Sequence, residues 1–152
     1  MNAYVIVKIA HILGATLLFG TGLGTAFFMF RAWRSRDAAV LHATSRSVVL
    51  ADAIFTAPSV VLQLATGAWL VRYLGIPPGS AWLAAVLSLY ALVGACWLPV
   101  VWLQVRVRDL AAAGALHDCD RLMRWWVALG IPAFAAVLVL FWLMVAKPGV
   151  WA

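Results

Sequence analysis

Four apolar stretches, about 4–30, 48–73, 81–103 and 125–146, limit what this chain can become. Each is roughly 22 to 27 residues long, and at ~1.5 Å per residue each crosses a hydrocarbon layer of ~30 Å with some tilt. Lipid cannot satisfy the backbone groups of open strands, so the spans are helices. Four spans with short connections predict an all-α integral membrane four-helix bundle, running up-down-up-down as one transmembrane domain over residues 1–152. Hydrophobic residues make up 66% of the chain and charged residues 11%, too little polar surface for a water-soluble fold of this size.

Charge placement predicts orientation. The net charge is +6, but the arginines sit between apolar stretches, which fits membrane topology and anionic lipid rather than nucleic acid. The first connection holds Arg31, Arg34, Arg36 and Arg46, the third Arg106, Arg108, Arg121 and Arg124, and the second only Arg72. Positive charge stays on the cytoplasmic side, so both termini are expected on the non-cytoplasmic side of a bacterial inner membrane. Tryptophans follow the same depth pattern: Trp33, Trp102, Trp125 and Trp126 fall at one expected interface, Trp69, Trp82, Trp142 and Trp151 at the other, and Trp97 alone lies inside a span. The first helix lacks a basic leader and a cleavage site, and reads as retained rather than as a signal peptide.

The connections carry their own expectations. Residues 32–47 mix charge with Ala38-Ala39-Val40-Leu41 and read as a short interfacial helix. Asp118 or Asp120 is expected to cap the last helix. His117-Asp118-Cys119-Asp120 has ligand-type side chains but no second cluster to complete a metal site. Cys96 in an apolar run and Cys119 in a polar loop predict no disulfide, and no Cys-x-x-Cys pair is present.

Polar residues inside the spans are the functional leads. On the first helix Lys8, His11, Ala15, Leu18, Gly22 and Thr25 recur at three- and four-residue spacing and share a face. Lys8 lies near the end and can snorkel, His11 lies one turn deeper, and Gly20-x-x-x-Gly24 admits a second backbone closely. On the second helix Asp52, Thr56, Ser59, Gln63 and Thr66 form one polar stripe, which must face protein or water. Pro58 interrupts that helix and predicts a kink. Gln63, Thr66 and Met144 are expected at the depth of His11.

A neutral imidazole in a bundle core suits haem iron or copper. His11 is therefore either such a ligand, with Met144 or Lys8 as a sixth ligand or none, or a structural hydrogen-bond partner of Gln63 or Thr66. A cofactor at His11 would meet Lys8, Gln63, Thr66 and Met144. Asp52 is either a proton-relay or ion-pathway carboxylate, or an ion-pair partner of Arg46, Arg124 or Arg31. No Ser-His-Asp order, no paired carboxylates within a span and no phosphate-cradling loop support hydrolase or nucleotide-driven chemistry.

Val7-Lys8-Ile9-Ala10-His11-Ile12-Leu13-Gly14-Ala15, Val49-Leu50-Ala51-Asp52-Ala53-Ile54-Phe55-Thr56-Ala57-Pro58 and Phe141-Trp142-Leu143-Met144-Val145-Ala146-Lys147-Pro148 together resemble the uncharacterised bacterial predicted integral membrane protein family, domain of unknown function 2269, over nearly the whole chain. More distantly, Lys8-x-x-His11 followed by Gly20 and Arg31 is similar to the first helix of HemJ-type protoporphyrinogen oxidases and of copper-resistance CopD-like membrane proteins. In the HemJ type the matching histidine is associated with haem b, so the resemblance implies His11 as an axial ligand. The third helix departs from that pattern, having no charged residue within its span.

Two expectations result. One is a small inner-membrane haem-binding protein with a redox or electron-transfer role through His11. The other is a non-catalytic membrane module, either a partner subunit or a small copper or solute transporter using the polar stripe. Expected partners are the lipid bilayer and a second copy of the chain or another membrane protein, with no nucleic acid.

Overall fold

The structure is a computed structural model and describes residues 2–147; Trp151 and Pro148 lie outside the described residues. Within these, every regular element is a helix. α1 (Ala3–Arg34) opens at Asn2, whose side chain accepts from the Tyr4 N–H at 3.2 Å, and its last turn holds Arg31 and Arg34, cations that suit a helix C-terminus. α2 (Ala38–Ala51) opens at Asp37, whose carboxylate accepts from the N–H groups of Ala39 and Val40 at 2.8 and 3.2 Å. A π-helical turn (Asp52–Thr56) joins α2 to α3 (Ala57–Tyr73) without a break, so residues 38–73 form one rod. α4 (Ala81–Ala112) opens on Ser80, and α5 (Leu116–Ala146) completes the bundle.

The connections are tight because the helix ends are closed locally. α3 and α4 both end in a Schellman turn with glycine in the left-handed position. The Gly75 N–H donates to Arg72 O and the Ile76 N–H to Val71 O, while Gly114 donates to Ala111 O and Ala115 to Leu110 O. After α1 the same left-handed position (φ 58°) is held by Arg36, a residue with a Cβ. Its guanidinium reaches Asp120 on α5, donating to both carboxylate oxygens at 2.6 and 2.9 Å.

These ends correct two expectations. Residues 32–47 are not a separate interfacial helix: the turn is confined to about 35–37, and α2 runs straight into the span. The reason is packing. Leu41, Ser45 and Val48 recur at four- and three-residue spacing and are buried, and α2 lies along α4. The last helix starts at Leu116 with no side-chain cap, earlier than expected. Asp120 accepts instead from the Trp33 indole N–H at 2.7 Å and from Arg36.

Four rods of 31 to 36 residues are long and apolar enough to cross a membrane. α1 packs on α2 and α3, α2 on α4, and α4 on α5. Both described chain ends lie at one end of the bundle with the 74–80 turn, hereafter the terminal end. The opposite end holds Arg31, Arg34, Arg36, Arg46, Arg106, Arg108, Arg121 and Arg124, eight of the eleven basic residues, and is the arginine-rich end. There all four rods meet in the main core, formed by Met29, Ala32, Leu41, Val48, Leu103, Val107, Ala111, Cys119, Met123 and Trp126. A smaller core of Ile76, Trp82 and Leu143 closes the terminal end, where the Trp82 indole N–H donates to Leu143 O at 2.8 Å. Trp82 and Trp126 thus turn into the bundle, whereas Trp102, Trp125 and Trp142 face outward. Leu13, Phe28, Val61, Leu98, Ile131 and Val145 are among many large apolar side chains on the outside, as a hydrocarbon solvent allows.

Candidate functional site

The polar stripe on the second rod faces the bundle interior. Asp52, Thr56, Ser59 and Thr66 are buried, with Asp52 only 6% exposed, and Gln63 is half-buried. Pro58 has no N–H for the carbonyl of Ile54 and crowds it. The rod answers by widening a turn just before it: the Ala57 N–H reaches back five residues to Asp52 O. Asp52 and Thr56 are the buried residues of that turn, and the Thr56 hydroxyl donates to Asp52 Oδ1 at 2.7 Å.

At its terminal-end half the stripe meets His11. Nδ1 of His11 lies 2.8 Å from Thr66 Oγ1, and the Thr66 hydroxyl hydrogen is committed to Leu62 O at 2.5 Å. Thr66 therefore accepts from Nδ1–H, and this network assigns the tautomer in which Nε2 carries the lone pair. The Gln63 amide donates to the backbone carbonyl of His11 at 2.6 Å. Gly14 permits the approach, and Gly67 lines it at ordinary contact distance. A Cβ at Gly14 would stand 2.6 Å from Gln63 Nε2, and one at Gly67 would stand 3.4 Å from Cε1 of His11.

The other proposed neighbours of His11 are engaged elsewhere. Lys8 is exposed, with Nζ 5.4 Å from the centre of the Tyr4 ring. Met144 packs against the Ile76, Trp82 and Leu143 cluster. His42 sits beside the Arg108 carbonyl (Nδ1 to O, 3.1 Å) in the arginine-rich half, and His117 is exposed. Among the described residues no group of three or more His, Cys, Asp or Glu gathers as a metal site. The two cysteines are free and buried.

At the arginine-rich half the stripe meets Gln104 of α4. Its side chain hydrogen-bonds the Asp52 carboxyl, is 2% exposed, and leaves Oε1 without a partner. The residues expected to pair with Asp52 do not: the ion pairs among the described residues are Arg36–Asp120 and Arg108–Asp109. Gln104 escaped the sequence reading because the third span was ended at Leu103. The available signal was an amide directly following an apolar run and in phase with Val107 and Ala111, both buried. Between the halves, the Tyr90 hydroxyl donates to Val60 O at 2.8 Å and ties α4 to α3. The result is a buried polar seam along one rod, with a carboxyl at one end and an imidazole at the other.

Such a fold, four apolar rods around a polar seam, is that of a multi-pass integral membrane protein. Residues 5–148 match the family described as predicted integral membrane protein (DUF2269), and the chain belongs to that family. The description states membrane residence and no activity. No curated protein and no solved structure matches the chain, and no HemJ-type or CopD-like protein is among the matches.

Proposed function

We propose that the chain is a non-catalytic membrane module of the transport kind, in which Asp52 is the group that takes up and releases a proton as a proton or small solute passes along the seam. One observation carries this reading: a carboxyl within a span, 6% exposed, held by Thr56 and Gln104 and by no cation. A charged side chain within a span is costly, on the order of 2.5–3.5 kcal/mol at a helix centre and less toward its ends. A structural role would be served more cheaply by Asn. Ser59, Gln63, Thr66 and His11 continue the seam toward the terminal end and offer hydroxyl, amide and imidazole groups over ~21 Å of rod. In this reading the arginine-rich end faces the cytoplasm of a bacterial inner membrane, which the excess of positive charge there supports.

The test is proton flux into proteoliposomes carrying a trapped pH indicator, driven by a potassium diffusion potential. Wild type should acidify the lumen faster than protein-free vesicles, and Asp52→Asn should fall to the protein-free rate. Equal rates for wild type and Asp52→Asn would remove the proposal.

A second reading rests on the His11 tautomer. With Nδ1–H held by Thr66, Nε2 is free to bind haem iron, and an N–H fixed in this way is the usual support of a ligating imidazole. The donor set would supply one ligand atom, Nε2 of His11: Gln63 and Thr66 are committed to tying α1 to α3, and Met144 packs in the terminal-end core. His11 would hold the iron, Thr66 would orient it, and bound haem b would supply one-electron transfer. Expression with haem supply followed by an absorption spectrum decides it. A Soret band lost in His11→Ala supports this reading; a spectrum without one removes it and leaves the first intact.

A further inference from the structure

A pair of adjoining hollows lies on the outer surface of α4 and α5 at the arginine-rich end, away from the seam. One, of about 410 Å³, is lined by Arg121, Arg124, Trp125 and Ala128. The other, of about 480 Å³, is lined by Arg121 and Trp125 together with Pro99, Trp102, Leu103, Leu122 and Leu129. They share Arg121 and Trp125 and so form one groove. From sequence spacing, Arg121, Arg124, Trp125 and Ala128 fall on one stripe of α5. Small Ala128 and the ring of Pro99 leave the hollow that a bulkier residue would fill.

We propose that this groove binds one anionic glycerophospholipid, with its phosphodiester between Arg121 and Arg124 and an acyl chain laid along Trp102, Pro99 and Leu129. Charge, depth and shape agree on that occupant. Two of the three acidic side chains nearest in sequence are spent: Asp120 is bound by Arg36 and Asp109 by Arg108. Asp118 is exposed one turn before Arg121 and makes no ion pair among the described residues, so the local balance at the groove is still positive, with Arg121 and Arg124 against one carboxylate. A third cation stands at the rim, the Arg106 guanidinium 6.0 Å from the centre of the Trp102 ring. Trp102 and Trp125 are exposed, in the position where indoles meet the headgroup layer. From Arg121 to Leu129 the lining turns from cationic to apolar over ~12 Å of helix, as a lipid does from head to tail. A two-fold contact with a second copy through this face would bring like charges together, which argues against self-association there.

Native mass spectrometry of the full-length protein, released from micelles containing phosphatidylcholine and phosphatidylglycerol of equal chain length, reads the site directly. Wild type should retain one phosphatidylglycerol in preference to phosphatidylcholine. R121Q/R124Q should weaken that retention on the order of 30-fold, from about 5-fold for each cation lost. R31Q/R34Q removes the same charge from the same end, off the groove, and should retain the lipid. Ala128→Phe fills the hollow with no change of charge and should displace the lipid even if R121Q/R124Q does not fold. Equal losses in the two double variants, no preference for phosphatidylglycerol in wild type, or retention by Ala128→Phe would each overturn the assignment.

Discussion

A methyl group at Gly14 would come within 2.6 Å of the amide nitrogen that bonds the His11 carbonyl, so Gly14→Ala must push Gln63 away. The amide would then be left half-buried without its acceptor, at about 1–3 kcal/mol. Gly20 has open space where its Cβ would be, and Gly20→Ala should be neutral or slightly stabilising through helix propensity. The check is thermal unfolding in one detergent, where Gly14→Ala should melt well below wild type and Gly20→Ala should not. The same open space shows that the Gly20-x-x-x-Gly24 face has no close backbone neighbour within the described chain. Gln104 invites a different kind of test. Gln104→Leu removes an unpartnered buried oxygen but also takes a partner from the buried Asp52 carboxyl, so stability should fall by about 1–3 kcal/mol. Asp52 would lose a donor, and proton flux in proteoliposomes should fall. Unchanged flux would show that Gln104 is not part of the seam's chemistry.

Helix existence was legible, and so were the ends near residues 3, 73, 81 and 146; the ends on the arginine-rich side were not. The apolar runs gave four spans because hydropathy reports what lies in hydrocarbon. Residues 104–112 and 116–124 project past the apolar runs with arginines outward, so hydropathy reads them as loop. Their inward residues Val107, Ala111, Cys119 and Met123 still keep helical spacing and form the main core. The inward stripe on the second rod was legible from its four- and three-residue spacing. The π turn was not, because spacing alone does not separate a widened turn from a regular one; Pro58 pointed only to a kink. The proline is the cause that can be tested. Pro58→Ala returns an N–H to the Ile54 carbonyl and lets the regular helix close, removing one residue of excess and rotating the Asp52 side of the rod by about 100° relative to Ser59. Far-UV circular dichroism should show helix content kept or raised, while proton flux drops toward that of Asp52→Asn. Flux equal to wild type would mean that the widened turn does not set the position of Asp52.

At the scale of the molecule, charge and packing are polarised along the same axis. The arginine-rich end carries the main core, where every rod contributes, while the terminal end is closed by the smaller Ile76, Trp82 and Leu143 core. Anionic lipid and the membrane potential both favour keeping the eight arginines on the cytoplasmic side, since moving each across would oppose the field. The 74–80 turn would then face outward, and the short turn at 113–115 inward. Both native cysteines are buried, so single cysteines introduced at exposed turn positions can be read against a quiet background. Gly79→Cys should react with a membrane-impermeant maleimide on intact bacterial spheroplasts. Ala113→Cys, exposed at the other end, should react only after permeabilisation. The reverse pattern would put the arginines outside and turn the proposed direction of the seam around, with His11 rather than Asp52 nearer the cytoplasm.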